Sequence, residues 1–365
     1  MPPSASELLL SALPDPVLLV DAGGLVTFAN PAATELFGAR IRSAPLRAHL
    51  RHPEVASLFA DMQRGATEAS ATIVRTGATS ETVWRVTVRR LAPETTAVSL
   101  RDISDLVVAE AQRRDFIANV SHELRSPLTV LAGFIETLQG PAADDPQARN
   151  EFLSIMARET ARMTGLVADL LSLSRVESSE RIRPREAVSL ADVLNSTLAA
   201  LRPQAEAAGV AVICDVPTDL PQVTGDHDQL EQVYHNLLEN ALKYGASGGK
   251  VEISAQCESA LPGFDGPIIR VSVRDHGEGI DPVFIPRLTE RFYRVDPART
   301  RETGGTGLGL AIVKHILGRH RGRLIINSRP GEGACFQTLL PCQPAARQET
   351  VTFEGYDSSS EGKTS

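Results

Sequence analysis

Apolar and polar positions change their rhythm twice along the chain, and each rhythm implies a different kind of element. In the first hundred residues the apolar runs are short. Val17–Asp21 is strand-like, Asp21-Ala22-Gly23-Gly24 is a turn, and Leu25–Ala29 reads as a second strand, so the pair predicts a hairpin. Asn30 then caps a helix that starts at Pro31 and stops at Gly38. Ala71–Arg75, Thr82–Arg90 and Thr95–Asp102 predict three more strands. In the middle one Val83, Arg85, Thr87 and Arg89 alternate with Trp84, Val86 and Val88. Residues 1–103 therefore read as a small α+β domain.

From Leu106 the period lengthens. Leu106, Glu110, Arg113, Ile117, Val120, Leu124, Leu128, Leu131, Ile135 and Leu138 recur every three or four residues until Gly140-Pro141. A second stripe, Leu153, Met156, Thr160, Met163, Val167, Leu170 and Ser174, follows Pro146. Two amphipathic helices joined by a short loop predict an antiparallel hairpin over 104–180. One hairpin has too little core to stand alone. Pairing two of them as a four-helix bundle predicts a homodimer. Beyond this, residues 181–342 alternate helices (Leu190–Ala208, Asp228–Tyr244) with strands (Val210–Val216, Lys250–Gln256, Ile268–Asp275, Gly322–Ser328, Ala334–Leu340). Residues 343–365 are polar and aperiodic, which predicts a disordered tail. The expected fold class is multidomain α+β.

Composition narrows the functional classes. Of the 365 residues 42% are hydrophobic and 22% charged, enough for packed cores, while the net charge of -8 argues against nucleic acid or a polybasic membrane contact. Aromatics at 4% are too few for a base-stacking surface. The four cysteines (Cys214, Cys257, Cys335, Cys342) include no C-x-x-C pair, as reduced thiols do not need one. The apolar stretch Leu8–Val20 is broken by Pro14, Asp15 and Pro16, and residues 1–7 lack Lys and Arg. Neither a membrane span nor a secretory signal is expected, and the protein reads as cytoplasmic.

Four segments carry candidate chemistry. In Phe116-Ile117-Ala118-Asn119-Val120-Ser121-His122-Glu123-Leu124-Arg125-Ser126-Pro127-Leu128, His122 lies off the apolar stripe, and an exposed neutral imidazole is a competent nucleophile. Glu123 can accept the proton of the other ring nitrogen. Pro127 is expected to kink the helix just below. On the second segment Asn236 and Asn240 stand one turn apart, as amide ligands for a phosphate-bound Mg²⁺ would, with Lys243 and Tyr244 in reach of phosphate oxygens. In the third, a strand delivers Asp275 to a turn whose Gly277 and Gly279 allow close backbone approach, and a buried carboxylate there can accept an adenine amino group. The fourth, Gly304-Gly305-Thr306-Gly307-Leu308-Gly309, runs into a helix and can cradle phosphate. It is neither a Walker A loop nor a Rossmann fingerprint. Arg291, Arg294, Arg299 and Arg301 precede it as a basic, lid-like stretch. Taken singly, the first three have plain alternatives: a surface histidine, a polar helix face, a common D-x-G-x-G turn.

In order and spacing these segments resemble the sensor histidine kinases of two-component signalling, over residues 105–342. His122 falls in the family's H box, Asn236–Asn240 in its N box, Asp275-x-Gly277-x-Gly279 in its G1 box, Arg291-Phe292-Tyr293-Arg294 in its F box, and Gly305-x-Gly307-x-Gly309 in its G2 box. The resemblance implies a PAS-like sensor domain over 1–103, a dimerisation and phosphotransfer hairpin over 104–180, and a Bergerat (GHKL) α/β sandwich binding ATP over 181–342. It implies that His122 accepts the γ-phosphoryl group with Glu123 as base, that Asn240 is the chief Mg²⁺ ligand with Asn236 assisting, and that Asp275 reads adenine. Lys243, Tyr244, Arg294, Gly277, Gly279, Gly305, Gly307, Leu308 and Gly309 complete the nucleotide site. The phosphoryl group would pass to an aspartate in the receiver domain of a response regulator. Where phosphatase-competent members have Thr or Asn four residues after the histidine, this chain has Ser126. A serine hydroxyl can also orient water, so the sequence leaves phosphatase action open. The H box and Ile285–Asp296 look most like the phosphate-regulon sensors. Those sensors carry N-terminal membrane helices, so the expectation here is a soluble signal or a membrane partner protein. Two rivals are an ATP-driven conformational machine of the wider Bergerat superfamily, which needs no phosphoacceptor, and a non-catalytic scaffold, which needs no intact nucleotide residues.

Overall fold

A computed structural model of the chain describes residues 5–76, 81–178, 183–296 and 305–342. The expected tail at 343–365, the boundary at 180/181, and Arg299, Arg301 and Gly304 lie outside the described residues. The chain forms two compact units, divided between Asn119 and Val120.

The first unit holds helices α1 (Ala5–Ser11), α2 (Pro31–Phe37), α3 (Leu46–His49) and α4 (Pro53–Gln63). Its antiparallel sheet has the order β2-β1-β5-β4-β3, from β1 (Val17–Asp21), β2 (Val26–Ala29), β3 (Glu68–Thr76), β4 (Glu81–Ala92) and β5 (Thr95–Asp102). The alternation in β4 behaves as expected: Val86 and Val88 are fully buried, and Trp84 packs against the same core. Asn30 does more than cap α2. Its Oδ1 accepts from Ala33 N (2.9 Å) and Val17 N (3.0 Å), while its Nδ2 donates to the carbonyls of Leu10, Leu13 and Asp15. One buried amide thus joins α1, β1 and α2.

Helices α5 (Ser104–Gln139) and α6 (Pro146–Ser178) form the expected hairpin. Near the turn the rings of Phe134 and Phe152 lie 4.8 Å apart. Pro127 is buried, and α5 continues beyond it for more than three turns. One chain by itself covers the apolar stripes only in part. Val120, Leu124, Leu131, Leu138, Met156, Met163 and Leu170 are half-buried as expected, but Ile117, Leu128, Ile135, Leu153, Thr160, Val167 and Ser174 are exposed. Leu166, Leu173 and Val176 are buried instead.

The second unit also holds α7 (Leu190–Ala208), α8 (His227–Tyr244) and α9 (Gly309–Arg319). Its main sheet has the order β11-β12-β10-β9-β7, from β7 (Ala211–Asp215), β9 (Lys250–Glu258), β10 (Ile268–Asp275), β11 (Arg323–Ser328) and β12 (Ala334–Pro341), and all pairs are antiparallel except β7 with β9. A small ladder of β6 (Glu186–Val188) and β8 (Val223–Gly225) was not foreseen from the sequence. Register stacks buried residues on one face: Val273 lies opposite Ile253 and Phe336, and Val271 opposite Ala255 and Thr338. The other face is polar, with Arg270 bound to Glu258 (2.6 Å) and Gln337 (3.1 Å). The described cysteines are free thiols.

His320, just past α9, is 5% exposed. Its Nε2 accepts from Asp226 N (3.0 Å), so Nδ1 carries the hydrogen donated to Ile316 O (2.8 Å). Burial lowers its pKa from the ordinary 6.5, and Arg319 adds to this while Asp226 opposes it. A folded-state pKa below the unfolded one gives stability that is complete above 6.5 and lost as pH falls towards the depressed value. Thermal midpoints followed from pH 8 downward are expected to drop below this point. His320→Gln is expected to cost about 1–3 kcal/mol at pH 8 and to flatten the decline. An unchanged slope in the variant refutes this role.

Candidate functional site

Helix α8 shows why the second segment points where it does. Leu230, Val233, Tyr234, Leu237, Leu238, Ala241 and Leu242 form its buried face. The Tyr234 hydroxyl is anchored to Thr338 Oγ1 on β12 (3.1 Å), and burial pushes its pKa up. With that face fixed on the sheet, Asn236, Asn240, Lys243 and Tyr244 line a cavity of about 980 Å³. Asn236 Nδ2 donates to Gly309 O (3.4 Å), which ties α8 to the start of α9.

Asp275 ends β10 at the wall of this cavity and is 5% exposed. Its Oδ1 accepts from Gly277 N (3.0 Å) and Ala334 N (3.2 Å). Both bonds fall on Oδ1, so Oδ2 is the oxygen that an amino group would meet. Burial raises its pKa, although these backbone bonds work the other way. Gly279 has φ +73°, and a Cβ there would lie 1.9 Å from Arg329 O, so only glycine fits. Gly307 is similar, with φ +72° and a would-be Cβ 2.9 Å from the Phe292 backbone.

Gly279, Gly305, Gly307, Gly309 and Arg294 also line the cavity. The first turn of α9 opens beside it, adding unpaired N–H groups and the positive end of the helix dipole. Burial lowers the pKa of Lys243, helped by Arg294 and Arg162 and opposed by Glu239. Three cationic side chains thus converge on a half-enclosed space, an arrangement that suits a polyphosphate. Among the described residues the buried Nε of Arg294 has no hydrogen-bond partner, so it is a donor open to an acceptor in the cavity.

Not every expected residue lines the cavity. Leu308 is wholly buried, and its N–H donates to Thr306 Oγ1 (3.3 Å). Gly277 serves through its bond to Asp275. His122 and Ser126 are exposed on α5. Glu123 joins the site indirectly: its Oε2 accepts from Arg294 Nη2 and from Arg162 Nη2 of α6, each at 3.0 Å. Sequence reading missed Arg162, and it missed Asp169 of α6, whose Oδ2 accepts from Thr306 Oγ1 (2.7 Å). Both lie in the α6 period but off its apolar stripe, where a single sequence shows only a polar helix face.

Comparison with known proteins fits this geometry. Residues 225–344 match the family described as "Histidine kinase-, DNA gyrase B-, and HSP90-like ATPase", residues 112–179 the "His Kinase A (phospho-acceptor) domain", and residues 6–70 the PAS domain. The phosphate regulon sensor protein PhoR of Pseudomonas aeruginosa is 35% identical over 343 residues, which cover 92% of this chain and 74% of that protein. The chain belongs to the sensor histidine kinases. The sensor-like histidine kinase SenX3 of Mycolicibacterium smegmatis is 34% identical, with 92% of this chain and 85% of that one covered. The sensor protein kinase WalK of Staphylococcus saprophyticus is 39% identical over 244 residues, and the match spans 67% of this chain and 39% of that protein. In fold, the chain is similar to the histidine kinase ThkA solved in complex with the response regulator protein TrrA, at 20% identity and a TM-score of 0.50, covering 93% of this chain and 99% of that one. As a sensor histidine kinase the chain is an ATP-dependent protein-histidine kinase of two-component signalling. Among the described residues no helix is long and apolar enough to cross a membrane.

Proposed function

We propose that the cavity seats Mg²⁺-ATP and that His122 takes its γ-phosphoryl group. The observation that carries this reading is the Arg294 bridge, which links the cavity to Glu123, next to His122 in sequence. Asp275 Oδ2 accepts the adenine amino group. Lys243, Tyr244, Arg294, the Gly305–Gly309 backbone and the α9 N-terminus hold phosphate oxygens. Among the described residues no group of three or more His, Cys, Asp or Glu side chains could hold a metal. The amide oxygens of Asn240 and Asn236 would hold an ion that arrives already bound by phosphates, and such an ion would supply charge neutralisation for the transferring group. A ring nitrogen of His122 bonds to the γ-phosphorus as the bond to the β–γ bridging oxygen breaks. ADP departs, and Glu123 receives the proton from the other ring nitrogen.

The phosphoryl group then moves to an aspartate of a response regulator, in line with the family and with ThkA's solved partner. We assign residues 1–103 to sensing, 104–180 to dimerisation and phosphotransfer, and 181–342 to ATP binding. Homodimerisation is supported by the apolar side chains left outside on the hairpin, among them Leu128 (53% exposed), Leu153 (50%) and Leu171 (55%). The kinship with PhoR supports a phosphate-related signal, and the need for ATP supports a cytoplasmic kinase region, with a membrane partner protein as one source of the signal. Ser126 is exposed on α5, and its hydroxyl would orient water if the chain also hydrolyses the regulator's phosphoaspartate.

Asn240→Ala tests the ion's seat. Across a Mg²⁺ titration with saturating ATP, its phosphohistidine formation is expected to fall about a hundredfold, and what label forms should still chase onto a receiver domain. Unchanged turnover removes Asn240 from the site.

A further inference from the structure

The arginine left unassigned by this reading is Arg162. Glu123 Oε2 accepts from two guanidiniums at 3.0 Å, and the three side chains are 26% (Glu123), 16% (Arg162) and 8% (Arg294) exposed. The two arginines differ in their other commitments. Arg162 rides on α6 and keeps a second carboxylate on its own helix, Glu159, 3.4 Å from Nη1. Both line the cavity, but Arg294 belongs to the loop before the glycine-rich segment, and its buried Nε has no partner among the described residues. Two guanidiniums bonded to one carboxylate oxygen occupy the lone pairs of Glu123 Oε2 that would otherwise face a proton donor. The polyphosphate of a nucleotide in the cavity carries several negative charges and can take a guanidinium through two bonds. It competes with a single carboxylate for Arg294, whereas Arg162 has reason to stay on the hairpin.

We propose that Arg162 is a positioning residue for phosphoryl transfer, holding the Glu123 carboxylate beside His122 when Arg294 leaves it for the phosphates of the nucleotide. This rests on the reading of Glu123 as proton acceptor and of the cavity as the nucleotide seat. It divides two roles that one ion-pair cluster now shares. Arg294 exchanges partners and reports that nucleotide is present, while Arg162 keeps the freed base in register. Because the exchange couples two binding events, it must be reciprocal: whatever loosens Glu123 from Arg294 tightens nucleotide binding by the same factor.

The test uses the full chain, with nucleotide affinity read from a fluorescent ATP analogue and the rate from acid-labile phosphohistidine. Glu123→Gln is expected to bind the analogue about fivefold more tightly while losing most of the rate. Arg162→Ala is expected to lower kcat about tenfold and to weaken nucleotide binding, since Glu123 then belongs to Arg294 alone. Arg162→Lys should recover part of kcat. In the Glu123→Gln background, Arg162→Ala should add no further loss, because the group it positions is gone. An equal loss in both backgrounds, or unchanged affinity in Glu123→Gln, overturns the proposal. The affinity measurement needs no Arg162 variant to fold. Absence of phosphohistidine from the wild-type chain would instead sink the underlying site reading.

Discussion

Replacing His122 by Gln is expected to leave a chain that binds ATP as the wild type does and carries no acid-labile phosphate. His122 is exposed, does not line the cavity, and lies in the interior of a long helix. A glutamine there keeps good helix propensity and removes no packed atoms, so stability should move by less than about 0.5 kcal/mol. What disappears is the nucleophile. Phosphoryl transfer relies on positioning and charge neutralisation, with little covalent help to replace a missing acceptor. Labelling with γ-phosphate-tagged ATP, followed by acid and alkali treatment, should find the variant below about one part in a thousand of the wild-type signal, because no other imidazole is offered on that helix. Retained acid-labile label would remove His122 from the mechanism. Lost ATP affinity would show that α5 contributes to the seat itself.

The parts of the fold that local chemistry decides were legible. Leu190–Ala208 and Ile268–Asp275 were read to the residue, because Ser189 and Gly209 punctuate the helix and the strand alternates Ile269, Val271 and Val273 with Arg270, Ser272 and Arg274 up to Asp275. Pro31 after Asn30 marked the start of α2 in the same way. Helix α4 gave a weaker signal, since its cap is the imidazole of His52, whose Nδ1 accepts from Glu54 N (3.4 Å), rather than an Asn, Asp, Ser or Thr. The β6–β8 ladder is three residues long on each side, too short to show a period.

The hairpin was legible, but its buried face was so only in part, for a different reason. A helix that packs against its own partner, a second copy and the nucleotide-binding part has more than one face to bury, so the best single stripe is a compromise. Phe152 and Leu166 face inward, while Leu153 and Val167, one position on, stay outside. The cavity's glycines, terminal carboxylate and paired amides were legible because the chemistry expected there needs those residue types. The carboxylate–arginine contacts between hairpin and cavity were not, because Glu123 and Arg294 are 171 residues apart and any surface arginine could fill such a role.

Asp275→Asn is expected to abolish useful ATP affinity while leaving the fold in place, and the geometry explains why both halves hold. The asparagine side-chain oxygen can occupy the Oδ1 position, still accepting from Gly277 N and Ala334 N, so the G1 turn and the start of β12 keep their anchor. Its amide nitrogen then takes the Oδ2 position and presents hydrogens to the adenine amino group, turning an attraction into a donor–donor clash. Losing a charged hydrogen bond and leaving its donor unpaired is worth about 2–3 kcal/mol, roughly a hundredfold in Kd. Acidification should weaken wild-type binding in the same sense. Burial raises the Asp275 pKa above the ordinary 3.8, so the proton that converts Oδ2 into a donor arrives at a higher pH than for an exposed aspartate. Nucleotide titrations of both proteins across the acidic range would check this. The wild-type affinity should fall as pH falls, and the asparagine variant, already blocked, should show no matching decline. A variant that binds ATP within a fewfold of wild type would place adenine recognition elsewhere in the cavity.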